Sequence, residues 1–139
     1  MITNHVTDYK RSKKLAKYLP QEGGLFYWVV FKKGPKAEYK RLLVKDTVIY
    51  LGISKDCYRA YLSTELNEFL PDFVDGNSEY RLQCIGLRDK WYIRASTDEG
   101  LIMFNDKGPV GFEAKQEQNA KADCILYLIK EGIITPKAG

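Results

Sequence analysis

The sequence predicts an α+β fold in which antiparallel strands form one or two sheets with helices packed on one face. Short β-branched and aromatic segments alternate with turns rich in Gly, Pro, Asp and Asn, and other segments carry apolar residues at helical spacing. The 139 residues are 45% apolar, enough for one core or two small ones. The predicted order is α-β-β-β-α-β-β-β-α, in halves 1–71 and 72–139 that either stand apart or share one compact domain.

In the first half, Thr7 is predicted to cap a helix over 8–19. The segments that follow are predicted as strands over 25–33, 39–44 and 47–53, and then as a helix over 54–70. This second helix is predicted because apolar side chains recur every three or four residues, the spacing of one buried stripe. The stripe consists of Tyr58, Leu62, Leu66 and Phe69.

In the second half, the turn-rich segment 72–78 is the predicted boundary. Strands are predicted over 79–87, 90–95 and 101–104, a loop over 105–109, and a helix over 114–131 that Gly132 ends in a left-handed cap. The two halves share an order of elements, which makes an internal duplication one interpretation.

The aromatic strand 25–33 has two possible uses. Strand alternation predicts one face in the core and leaves the other as a candidate partner surface. The core face would be Phe26, Trp28 and Val30, and the other Tyr27, Val29 and Phe31. Alternatively, the aromatic rings beside Lys32 and Lys33 could form a base-stacking platform.

Charge is distributed unevenly along the chain. Residues 1–45 contain eleven basic and three acidic residues, a net charge of +8, whereas the remainder has a net charge of −4. Such a field attracts anions to one side of a molecule, so we expect nucleic acid as the partner. The predicted phosphate contacts are Lys10, Arg11, Lys13, Lys14 and Lys17, extended by Lys32, Lys33, Lys40, Arg41, Lys55 and Arg59.

The last two of these residues have a specific predicted placement. If Ser54 caps the helix over 54–70, Lys55 and Arg59 lie one turn apart at its start, where backbone N–H groups also favour an anion. The alternative is an ordinary capped and solvated first turn.

Residues 62–131 carry two recognisable motifs. Leu66-Asn67-Glu68 lies near the end of a predicted helix, and the last helix begins within 108–126, where Lys115 precedes Ala120 and Ala122. This pattern resembles a double-stranded-RNA-binding domain. The resemblance implies that the first motif touches the RNA minor groove, that lysines at the last helix span phosphates, and that the alanines pack this helix closely on the sheet.

This half also departs from that family's pattern. Gln116 and Gln118 stand where the family has lysines, and residues 87–89 lack its loop histidine. The phosphate-binding charge is therefore mostly missing, and the resemblance implies the shape of the domain more than RNA binding. In the first half, Gly52-Ile53-Ser54-Lys55 is similar to the start of that family's last helix.

A second resemblance, to the GIY-YIG nucleases, is a remote alternative. Gly24-Leu25-Phe26 and Tyr50-Leu51-Gly52, followed by Arg59, are similar to that family's two motifs. The resemblance implies metal-dependent cleavage, with Glu65 or Glu68 available to bind the metal. Phe26 lacks the phenol that the first motif supplies.

Other chemistry has little support in the sequence, so we expect no enzyme activity, no cofactor and no metal. His5 is the one histidine, and no P-loop or dinucleotide-binding glycine motif occurs. Cys57, Cys84 and Cys124 are widely spaced, which predicts reduced thiols. With no signal-like amino terminus and no long apolar run, a cytoplasmic protein without a membrane partner is expected.

A different class of function suits the same composition. A small protein-binding inhibitor or adaptor, of the kind encoded by mobile elements or phages, could place the basic face on an acidic protein surface. A homodimer is also compatible with the sequence.

Overall fold

The computed structural model describes residues 2–70, 81–97, 100–102 and 111–135, which divide into two units. Unit 1 ends at Leu62 and unit 2 begins at Ser63. Each unit combines helices with a small antiparallel sheet, which confirms the predicted α+β class. The sequence predicts the boundary at 71/72 instead, because the turn signals of 72–78 are stronger than any near Leu62.

Unit 1 begins with a 3-10 helix at Ile2–Asn4. Its helices and strands are α1, Tyr9–Leu15; β1, Phe26–Lys32; β2, Glu38–Val44; α2, Lys45–Tyr50; and β3, Cys57–Ala60. The strand order is β2-β1-β3, so the predicted strands at β1 and β2 are confirmed and β1 is central. Trp28 on β1 lies opposite Leu42 on β2 and Tyr58 on β3, which places these three residues on one face.

Helix α1 begins one residue later than the sequence predicts. Asp8, not Thr7, is the N-cap, and its carboxylate accepts a hydrogen bond from the Arg11 backbone N–H at 2.9 Å. The α-helix ends at Leu15 and continues only as a turn. Ser12 and Leu15 form its buried side.

Thr7 is fully buried and connects three segments of unit 1. Its hydroxyl lies 2.7 Å from Ser12 Oγ in α1 and accepts a hydrogen bond from the Tyr61 backbone N–H at 3.0 Å. Its carbonyl accepts the indole N–H of Trp28 at 2.8 Å and the Ser12 hydroxyl at 3.1 Å. The Thr7 N–H donates to the Tyr61 carbonyl at 2.9 Å. These bonds hold the start of α1 against the sheet face that carries Trp28.

Two predictions for residues 47–70 are wrong. The strand predicted over 47–53 is mostly α2, because the chain leaves the sheet after β2 and turns Val48 alone inward. The helix predicted over 54–70 is instead β3 followed by a shorter helix in unit 2. Asp56 has a left-handed backbone (φ 51°), which redirects the chain into the sheet.

The faces of β1 also differ from the prediction. Val29, assigned to the outer face, is only 1% exposed and is the most buried residue of the strand. Phe26, Trp28 and Val30 are half-buried instead. Both faces of the sheet are thus partly covered.

The described part of unit 2 begins with α3, Ser63–Leu66, which a 3-10 turn at Asn67–Phe69 follows. Its other elements are β4, Arg81–Gly86; β5, Trp91–Thr97; β6, Gly100–Ile102; β7, Gly111–Ala114; and α4, Glu117–Lys130. Strand β4 pairs along one edge of β5, while β6 and β7 share the other edge end to end. The three predicted strands are confirmed, whereas the predicted turn 72–78 and loop 105–109 lie outside the described residues.

Strand β7 and the later start of α4 are not predicted from the sequence. Gly111 pairs with Arg94, and a Cβ at position 111 would lie 2.6 Å from the Ile93 carbonyl oxygen. Glycine therefore permits the close strand approach here, although the sequence suggests a loop. Gly132 has a φ of 73°, as predicted for the cap of α4.

Helix α4 packs on the sheet through small side chains. Ile93 of β5 forms a buried cluster with Ala120, Cys124 and Leu128 of α4. Ala122, also on α4, is fully buried. The small side chain of Ala120 lets the helix lie close to Ile93.

Lys121 is a buried cation that ties α4 to α3. Its ammonium group is 2.7 Å from both Ser63 Oγ and Asn67 Oδ1, and 2.8 Å from a Glu117 carboxylate oxygen. Burial acts to raise the pKa of Glu117, but hydrogen bonds from Lys121 and Ser63 hold it below its ordinary value. The charges of Glu117 and Lys121 therefore stabilise each other within unit 2.

We predict that Thr7→Val destabilises unit 1 by about 1–3 kcal/mol, because the Tyr61 N–H loses its buried acceptor while the side-chain shape is kept. The change in unfolding free energy is measured by urea denaturation. Thr64→Val, at an exposed position, serves as the control and should cost less than about 0.5 kcal/mol. Equal losses in the two variants would contradict this role of Thr7.

We predict that Glu117→Gln lowers stability at neutral pH by on the order of 1 kcal/mol. Because the folded-state pKa of Glu117 is lowered, its contribution is present above the unfolded-state pKa of about 4.3 and is lost as the pH falls through the folded-state value. The difference from wild type should shrink below about pH 4 in urea denaturation. A difference that is the same at both pH values would rule out the charge interaction.

Candidate nucleic-acid interface

Helix α1 and the turn that follows it present four of the predicted basic residues on one side. Lys10, Lys13, Lys14 and Lys17 are spaced i, i+3, i+4 and i+7, and all four are exposed. The opposite side of the helix is buried through Ser12 and Leu15. The anchoring of the helix therefore fixes which way the lysines point.

Strand β2 adds a fifth lysine to this surface. Lys40 lies opposite Val30 on the same sheet face as Trp28, and its Nζ is 4.6 Å from the centre of the Tyr9 ring. Together these side chains surround an open depression of about 440 Å³, which we call the lysine depression. It is lined by Tyr9, Lys10, Lys13, Lys14, Lys17 and Lys40.

Tyr9 positions the lysine depression on the sheet. Its ring meets Trp28 edge to face at 6.4 Å and Tyr58 at 5.9 Å. Burial raises the pKa of Tyr9, with Lys13 acting in the opposite direction and Tyr58 and nearby acids reinforcing the rise. The acids are Glu38 and Asp56.

Other predicted basic residues lie outside the lysine depression. Arg11 forms an ion pair with Asp8 at 2.6 Å beside the cap of α1. Lys32 is on the Lys40 face but lies opposite Glu38. The rest are exposed elsewhere in unit 1: Lys33 at the end of the hairpin, Arg41 on the opposite sheet face, and Lys55 in the turn before β3.

Arg59 has a structural role instead of the predicted surface one. It lies on β3, not one helical turn from Lys55, and is only 7% exposed. Its guanidinium donates to the Pro20 and Glu22 carbonyls at 3.2 and 3.1 Å. The group also lies over the ring of Tyr61 at 4.4 Å. It thus fastens the loop after α1 to the sheet and is buried away from a phosphate ligand.

The residues of the nuclease resemblance are also placed by the structure. Tyr50 ends α2 and is 88% exposed, whereas Arg59 is buried on β3. Residues 53–62 contain a strand and no helix, although the resemblance implies a helix there. Across the described ranges, no group of three His, Cys, Asp or Glu side chains is arranged to hold a metal ion.

The motifs that resemble the RNA-binding domain are partly engaged within unit 2. Asn67 accepts a hydrogen bond from Lys121, and Gln118 is buried. Lys115 is exposed just before α4. In the part of the chain that the structure describes, no helix has both the length and the apolar character needed to cross a membrane.

Sequence reasoning identifies the basic residues but misses how they assemble. The helical spacing of the four α1 lysines is visible in the sequence. The contribution of Tyr9, and the choice of Lys40 over its neighbour Arg41, depend on long-range packing that no local pattern encodes.

Comparison with known proteins adds no relative: no protein-family model, no curated protein and no solved structure matches this chain.

Proposed function

We propose that the protein binds nucleic acid without catalysing a reaction, and that the lysine depression contacts the phosphates. One observation carries the proposal: five exposed lysines from α1, the turn after it and β2 converge there, and none of the described side chains that line it is acidic. Five ammonium groups around one concave surface favour a ligand of high negative charge density.

The proposal of a binding role is supported by the chemistry of the lining. Lysine and tyrosine side chains supply hydrogen-bond donors and positive charge. Because burial raises the pKa of Tyr9, its phenol stays protonated at neutral pH and does not act as a base.

Unit 2 has a different proposed role. We assign it packing or protein contacts, because Asn67 and Gln118, where the RNA-binding family would contact its ligand, are used within the unit. The resemblance then concerns shape. A cytoplasmic location is part of the proposal and is supported by the free thiols of Cys57, Cys84 and Cys124.

We predict that binding to single-stranded DNA or RNA weakens with salt. If all five lysines contact phosphates, the slope of log affinity against log salt is about −3.5, since each contact contributes about −0.7. Fluorescence anisotropy with a labelled oligonucleotide measures this slope. The proposal is wrong if neither polymer binds at low salt, and an acidic protein surface would then be the remaining ligand for these lysines.

We predict that Lys13→Gln combined with Lys14→Gln reduces the magnitude of this slope by about 1.4, because two phosphate contacts are removed. Lys115→Gln combined with Lys130→Gln is the matched control, since both lysines are exposed in unit 2 and the net charge changes equally. The control should keep the wild-type slope. If both double variants reduced the slope equally, Lys13 and Lys14 would not be the specific phosphate contacts.

A further inference from the structure

We infer that the lysine depression recognises a chain of phosphates alone and does not stack on or read the bases. This inference rests on the proposed function and specifies its ligand. Any linear phosphate polymer of sufficient length, with or without bases, would then bind in the same way.

The aromatic rings near the lysine depression already have partners. Tyr9 has Lys40 over its ring and meets Trp28 and Tyr58 edge to face. The indole N–H of Trp28 is used in the bond to the Thr7 carbonyl. A base could stack on the ring face that Lys40 covers only after Lys40 had moved away, which would remove one of the five charges from its position.

The exposed aromatic residue of the neighbouring hairpin is also engaged. Tyr39 is 44% exposed but stacks on Phe31, with ring centres 5.3 Å apart and planes 20° from parallel. The pair lies on the sheet face opposite Lys40, because side chains alternate along β2. It is therefore not part of the surface formed by the lysines.

The lining contains only one of the side-chain types that commonly read base edges. Bidentate hydrogen bonds to bases come from Arg or Lys to guanine and from Asn or Gln to adenine, and of these types the described lining has lysine alone. The described lining contains five lysines and one tyrosine. An ammonium group is a compact point charge with rotatable donors, which suits phosphate oxygens in many orientations.

The length of the lysine stripe fits consecutive phosphates. Lys10, Lys13 and Lys14 lie within α1, where four residues correspond to about 6 Å, and Lys17 follows in the turn after Leu15. The stripe therefore extends past a single phosphate group. Several ammonium groups can therefore contact one continuous backbone.

A competition experiment with the full chain tests the inference. A labelled oligo-dT is displaced by unlabelled oligo-dT, oligo-dA or inorganic polyphosphate with the same number of phosphates. We expect the midpoints of oligo-dT and oligo-dA to agree within about threefold and polyphosphate to compete at least as well, because the interaction is with phosphate charge. The inference is overturned if DNA binds but polyphosphate fails to compete, or if oligo-dA and oligo-dT differ more than about tenfold, as stacking or base contacts would cause.

A pair of variants tests stacking directly. If a base stacked on Tyr39, Tyr39→Leu would weaken oligo-dT binding roughly 5-fold to more than 100-fold. We expect no change, as for the control Tyr50→Leu, whose side chain is 88% exposed on α2. A loss confined to Tyr39→Leu would overturn the inference.

The outcomes also separate this inference from the proposed function. If no polymer binds, including DNA at low salt, the proposed function fails and the inference fails with it. If DNA binds with a dependence on its bases, only the inference fails.

Discussion

The hydrogen bonds of Thr7 are the constraint on which the arrangement of unit 1 depends. They join the segment before α1 to Trp28 on β1 and to Tyr61 after β3. A helix of seven residues is too short to be stable alone, so α1 depends on this tertiary anchoring. The direction in which its lysines face is therefore a property of the buried network and not of the helix itself.

The basic side chains of this protein fall into a buried group and an exposed group, and the two groups have different roles. Arg59 and Lys121 are nearly inaccessible to solvent, and each donates hydrogen bonds to oxygen atoms of its own unit. Removing such partners would leave a buried charge uncompensated, which is costly. The lysines of the depression are exposed, and Lys40 lies over the ring of Tyr9. None of the ion pairs found among the described residues involves these lysines, so an anion bound there would displace none of those pairs.

The sequence predicts those features that arise from local patterns. The β-branched and aromatic residues of β1 define a strand, and the spacing of lysines on α1 defines a stripe. Prediction from the sequence fails where one local pattern is compatible with two secondary structures. The β-branched and aromatic residues around Val48 favour a strand, yet this segment is helical in the structure. The spacing of Tyr58 and Leu62 suggests a helix where β3 pairs with β1. The meeting of Tyr9 with Lys40 requires the folded sheet.

The position of β2 gives Lys40 and Arg41 a further consequence. Strand β2 is at the edge of its sheet, where unpaired backbone groups can template pairing with another chain. Adjacent cations that project from its two faces make such edge-to-edge association unfavourable, because a second copy would bring like charges together. Lys40, which we propose as part of the anion-binding surface, thus also disfavours aggregation through this sheet edge.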